Sequence, residues 1–339
     1  MEQSISRILV ETAVKTALKN IKDSPERGIR NLVDMALQCS EGRFQHKFFS
    51  TAQTMLQNET SAYYGLVKDI VANTDTNRLL TFGMNLGYNA CTIGAQHIRE
   101  NEKALRCNIP WTIALQIEPA CFSAKQPEYH RIIQQGEQLG VYAWMLFSES
   151  DPQALLRLAK AHSDSAFCIF CTAQDITADF VDQAAELYNI MLIVRYNDSA
   201  AAACTVLRHH GLLYSLWYPY GQNEIASIVN RNLFVSTQQL SPFFTVLLPK
   251  RHCPPSVQRL AHQTVQCARN EQVYRTILWE MHGDTCWIDS IISDDACSAY
   301  FDENGNLYPL FQPANSLSYN LFQTPLTEIF IGAFPKDCT

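Results

Sequence analysis

The stretch Asn108 to His130, NIPWTIALQIEPACFSAKQPEYH, carries an apolar run into an acid, a thiol and an imidazole. Glu118, Cys121 and His130 are the residue types that an activated nucleophile requires, since a thiolate forms near neutral pH only beside a base or a positive charge. No nucleophile signature accompanies them, so Cys121 reads as a lone thiol at a helix start and no catalytic residue is assigned. Glu149, Asp151, Gln174, Tyr196 and Tyr220 also follow apolar runs. Together with Glu118 and Cys121 they would line one rim. With Trp217 and Tyr218 as aromatic walls, that rim could hold a small molecule or a nucleotide.

The remaining thiols and imidazoles make weaker cases for chemistry. Cys168 and Cys171 form a C-x2-C, but they sit in AFCIFC, an apolar run that reads as a strand whose successive side chains alternate faces. His252 with Cys253, and Cys286 or Cys297 with His282, match no zinc or cluster loop. His209 and His210 are adjacent, so on a helix they diverge by about 100 degrees and suit a C-terminus better than one shared ion. No metal ligand is assigned, and the twelve cysteines read as reduced, mostly buried thiols.

Helices must come first. Pro25 and Glu26 open one whose stripe is Ile29, Leu32, Val33, Ala36 and Leu37. Another is expected from about Thr76 to Arg99, with Gly83, Gly87, Ala90 and Gly94 on an arc narrow enough for close packing. From Pro110 the pattern becomes βα: WTIALQI, VYAWMLF, AFCIFC, IMLIVRY, LLYSLWY and PFFTVLL alternate with amphipathic segments such as Pro127 to Leu139 and Ala200 to His210. Six such strands predict a partial parallel barrel, with its chemistry at the carboxyl ends of the strands. ACSAYFDENGNLYPLF reads as a hairpin turned at Glu303-Asn304-Gly305. The expected division is a helical domain over 1–106, a barrel with its hairpin over 107–312, and a tail over 313–339 packed on the barrel.

Composition excludes some functions. A net charge of −7 without a basic stripe argues against nucleic acid as a partner. No apolar run reaches the roughly 18 residues of a membrane span, and Met1 to Val10 lacks a signal peptide's apolar core, so the expected location is the cytoplasm.

The order of several segments resembles the radical S-adenosylmethionine (SAM) superfamily, in the form with a helical N-terminal extension. They are SPERGIRNLVDMA, NIPWTIAL, RIIQQGEQLGVYAWML, CIFCTAQDITADF, HHGLLYSLWYPY and DENGNLYP, between about Lys19 and Phe311. The resemblance implies an α/β fold, a partial (β/α)6 TIM-like barrel with an all-α N-terminal domain. It also implies a C-x3-C-x2-C loop after the first strand, whose three thiolates hold a [4Fe-4S] cluster with one iron left open for SAM. Cys121 matches the first ligand, but Lys125 and Glu128 stand where the other two belong. Ser148-Glu149-Ser150 replaces the family's Gly-Gly-Glu, Tyr196 stands in place of a carboxylate, and Leu310 follows Pro309 where a cysteine is usual. These departures imply a pseudoenzyme with no cofactor, serving as scaffold or partner subunit to an active radical SAM relative or to itself. SAM or a [4Fe-4S] cluster would enter only if other ligands kept the enzyme active.

Overall fold

The structure is a computed structural model, and it describes residues 5–38, 40, 42–148, 152–309 and 319–336. Helices fill the chain up to Leu105. They are α1 (Ile5–Asp23), α2 (Pro25–Gln38), α3 (Arg43–Met55), α4 (Ala62–Asn73), α5 (Thr76–Gly83), a π-helical segment (Met84–Gly94) and α6 (Ala95–Leu105). The helix expected over Thr76 to Arg99 is thus wound in two ways. Thr92 Oγ1 donates to the carbonyl of Gly87, five residues back, at 2.9 Å, matching the i→i+5 spacing of a π-helix.

Strands and helices then alternate: β1 (Thr112–Gln116), α7 (Pro119–Leu139), β2 (Ala143–Phe147), α8 (Gln153–Ala161), β3 (Ala166–Cys171), α9 (Ala178–Ala185), β4 (Ile190–Arg195), α10 (Ala200–His209), β5 (Tyr214–Tyr220), α11 (Ile225–Val229), α12 (Asn232–Thr237), β6 (Phe244–Pro249), α13 (Pro255–Glu271), β7 (Ile277–Glu280), α14 (Met281–Ile292), β8 (Ala299–Phe301), β9 (Leu307–Pro309) and α15 (Leu326–Ala333). They form one sheet in the order β7-β6-β5-β4-β3-β2-β1-β8-β9, an α/β partial-barrel architecture. The six expected strands are β1 to β6. β7 continues the parallel run beside β6, from Phe244 opposite Ile277 to Leu247 opposite Glu280. β8 lies parallel to β1 and antiparallel to β9, closing the expected hairpin around Gly305, whose φ of 83° suits a residue without a Cβ.

The chain divides into two compact units, residues 1–81 with 172–176 and 192–284, and residues 82–171 with 177–191 and 285–339. In the first unit, Tyr220 on β5 and Leu247 on β6 pack with Phe234, Val257, Ala261 and Val265 from α12 and α13. β7 ends the sheet, and its outward main-chain groups are covered: Arg269 Nη1 donates to the Leu278 carbonyl at 3.1 Å, and Glu280 N donates to Asp284 Oδ2 at 2.8 Å. An end strand so covered cannot template further pairing at those points. In the second unit, β1, β2 and β3 are buried through Ile113, Leu115, Trp144, Leu146, Phe167 and Ile169. Asn85 and Asn89, both 1% exposed, donate from the π-helical segment to the carbonyls of Ser163, Asp164 and Ser165. Of the expected glycine arc, Gly83 and Gly87 face open space, while a Cβ on Gly94 would lie 2.4 Å from the Gly140 oxygen. Of the three glycines, Gly94 therefore makes the close approach. Among the described residues, no helix is long and apolar enough to cross a membrane.

Candidate functional site

β1 delivers the first set of predicted residues. After buried Ile117, Glu118 leaves the strand in an extended conformation (φ −89°, ψ 136°) and caps α7, with Pro119 at the first helical position. Its carbonyl accepts from Phe122 N at 2.8 Å and its carboxylate from Gln116 Nε2 at 3.3 Å. Cys121 lies in that first turn, partly exposed. The helix begins earlier than the expected Pro127 because the proline is absorbed in a kink. Lys125 adopts non-helical angles (φ −126°, ψ 27°) two residues before it, as a ring that clashes with the preceding turn requires. The kink swings Lys125 Nζ to 3.7 Å from the Phe322 ring centroid. Tyr129, 1% exposed, stacks on Phe122 at 5.7 Å and meets Phe322 edge-on at 5.4 Å. Burial, then the nearby Cys121 and Glu118, pushes its phenol above the usual tyrosine range. His130 is engaged with Gln126 and His162.

Gln174, Tyr196 and Tyr220 fall in the first unit. Gln174 is exposed in a single 3-10 turn, pinned by Thr172 and Asp175, whose side chain accepts from Thr172 N at 2.6 Å. Tyr196 and Tyr218 meet edge-on at 6.3 Å and pack with Tyr220 against the core of α11 to α13. Tyr220 is fully buried, and its hydroxyl donates to Glu280 Oε1 at 2.7 Å. Strand alternation places Arg195 and Trp217 on the opposite face. There the exposed Arg195 guanidinium stands 5.5 Å from the Trp217 ring. Glu118 and Cys121 thus share one turn, and Tyr196 and Tyr220 share one core. Glu149 and Asp151 lie outside the described residues.

One polar network escaped the sequence. Glu280, fully buried at the end of β7, accepts from Tyr220 and from Gly283 N at 2.6 Å, and burial holds its carboxyl above the ordinary range. Four residues on, Asp284 accepts from Arg269 at 2.9 and 2.7 Å and from His262 Nε2 at 3.3 Å. Burial pushes Asp284 up, but the bonds from His262 and Arg269 outweigh it and leave the group below its usual value. The only signal was the E-x3-D of WEMHGD after a run too short to read as a strand.

Cys267 is exposed on α13, but the thiols that the sequence singled out in the strands and loops are packed. Cys253 is in the first unit's core, and burial raises it. Burial pushes Cys168 to about 12, and Cys171 and Cys297 are each 1% exposed. His209 and His210 meet edge-on at 5.6 Å, with His210 Nδ1 2.9 Å from the Val206 carbonyl. Among the described residues, no three His, Cys, Asp or Glu side chains are grouped so as to hold a metal ion.

No family model and no curated protein matches the sequence. Solved structures do. SuiB of Streptococcus suis superimposes with a TM-score of 0.50 at 12% identity, covering 69% of this chain and 68% of that one. SuiB bound to S-adenosylmethionine gives 0.51 at 12% identity, over 69% and 66% of the two chains. SuiB with its precursor peptide SuiA gives 0.49 at 13% identity, over 69% and 67%. Identities this low speak for architecture and leave function to the site. The likeness shows the fold alone: the chain has a radical SAM fold.

Proposed function

We propose that the chain is a radical-SAM-like pseudoenzyme that holds no [4Fe-4S] cluster and serves as a scaffold or partner subunit, for an active relative or for a second copy of itself. The observation that carries this reading is Lys125. It stands at the second ligand position and lays its ammonium on the Phe322 ring at 3.7 Å, beside the buried Tyr129 stack. One thiol, one ammonium and one carboxylate, from Cys121, Lys125 and Glu128, do not make the three-thiolate set that such a cluster needs. The residues do not fit the group. The fold then remains as architecture, and its surface rather than an iron centre does the work.

SuiB has been crystallised with S-adenosylmethionine, which makes SAM the ligand to try. A ligand that binds only the native state at a hundred times its Kd adds about 2.7 kcal/mol of stability. Thermal unfolding with millimolar SAM should leave the midpoint unchanged, for the parent and for Cys121→Ser alike. A saturable rise that Cys121→Ser removes would overturn the proposal.

A further inference from the structure

His130 and His162 meet in the second unit in an arrangement that the proposed function does not use. His130 lies on α7, partly exposed, and His162 caps the end of α8 at 6% exposure. His130 Nδ1 and His162 Nε2 are 3.1 Å apart, with ring centroids at 5.3 Å and planes within 28°. The two nitrogens therefore face each other, with room for one proton between them. On the outer side, Gln126 Nε2 lies 3.4 Å from His130 Nε2. On the inner side, Glu137 Oε1 lies 3.5 Å from His162 Nδ1 and accepts from Ser165 Oγ at 2.7 Å.

With the Gln126 amide turned as it stands, one assignment gives every facing pair a donor and an acceptor. Gln126 donates to His130 Nε2, His130 Nδ1–H donates to His162 Nε2, and His162 Nδ1–H points at Glu137. His162 is fixed from behind, because its carbonyl accepts from Ser165 N at 3.2 Å and Asn189 Nδ2 at 3.0 Å. The other titratable groups around these four side chains are Tyr142, which interacts with Glu137, and Asp164, which interacts with Tyr142.

We propose that Gln126, His130, His162 and Glu137 form a pH-sensitive latch between α7 and α8, closed while the imidazoles share one proton and opened when both rings charge. A first proton, taken from solvent at His130 Nε2, turns the Gln126 amide so that its oxygen accepts, and leaves the central N–H···N bond intact. A second, at His162 Nε2, puts N–H against N–H at 3.1 Å, and only one of the two cations has Glu137 as a counter-charge. Burial, then His162, holds His130 below its ordinary value, so opening is shifted toward the acid side. The sign follows: an unfolded chain takes up the proton as the pH falls through about 6.5, the folded chain resists, and stability from this contact is lost toward acid.

Hydrogen exchange on the full chain, corrected for the intrinsic pH dependence of exchange, tests the latch. Between pH 7.5 and 5, protection over Pro127–Leu139 and Gln153–Ala161 should fall about tenfold, equivalent to about 1.4 kcal/mol. His130→Asn, which hydrogen-bonds but cannot charge, should abolish that response. A variant that responds as the parent does, or a parent whose two helices keep their protection at pH 5, overturns the proposal. Should the variant fail to fold, the parent's ring-nitrogen signals decide. Two coupled steps for His130 and His162 support the latch, and independent titration at ordinary values refutes it.

Discussion

Asp289 is a carboxyl that folding forces out of water. It is fully buried on α14, with Oδ1 accepting from Trp111 N at 3.2 Å and Oδ2 without a hydrogen-bond partner among the described residues. Burial pushes its pKa to about 8, outweighing the bonds from Trp111 and Cys297, and nearby Glu102 and Asp295 add to the rise. A raised carboxyl stabilises the fold while protonated: its contribution is whole below the unfolded value near 4 and is lost as the pH climbs through about 8. Asp289→Asn should therefore gain stability relative to the parent as the pH rises from 4 to 8. The gain should be on the order of a few kcal/mol, at about 1.4 kcal/mol per pKa unit, set against the pH-independent cost of its unmatched amide N–H. Denaturant midpoints of parent and variant across that range check it; parallel curves would contradict it. Nothing in WIDSII announces this residue beyond an acid set in an apolar run. Cys121 and Glu118 were legible because they follow a strand directly. Tyr220 was legible as a strand end, but its partner Glu280 lies sixty residues away, and one sequence does not show such a pairing.

Elements show where local patterning misleads. Composition set the Thr76 to Arg99 segment as helical, and small residues suggested a glycine-lined seam. The fold instead winds Met84–Gly94 as a π-helix and anchors it by two asparagines whose carbonyl partners lie over seventy residues on. Asn89→Ala would strand the Asp164 carbonyl, now at 2.7 Å, and the Asn85 Oδ1, now at 3.2 Å. Leaving buried groups unpaired costs about 1–3 kcal/mol. Chemical denaturation should show a loss of that size, and an unchanged midpoint would mean that the asparagines do not hold the segment. α7 carries the opposite lesson. The expected end at Leu139 holds, because Gly140 follows it at φ 103° and stops the helix. Pro127 looked like its start, yet the kink at Lys125 lets the helix run on from Pro119.

For the molecule as a whole, the six apolar runs between Trp111 and Leu248 were enough to give the parallel strands in order, because a strand buried on both faces is continuously apolar. β7 escaped notice because ILW is three residues ending in an acid, and its place in the sheet depends on Arg269 and Asp284 covering its outer side. The architecture is a radical SAM fold, while the proposed reading sets Lys125 and Glu128 at positions where a cluster would need thiolates. Anaerobic reconstitution with iron and sulfide tests that conflict most directly. The account predicts a colourless protein without stoichiometric bound iron; a stable brown protein carrying about four irons, as a [4Fe-4S] cluster requires, would contradict it.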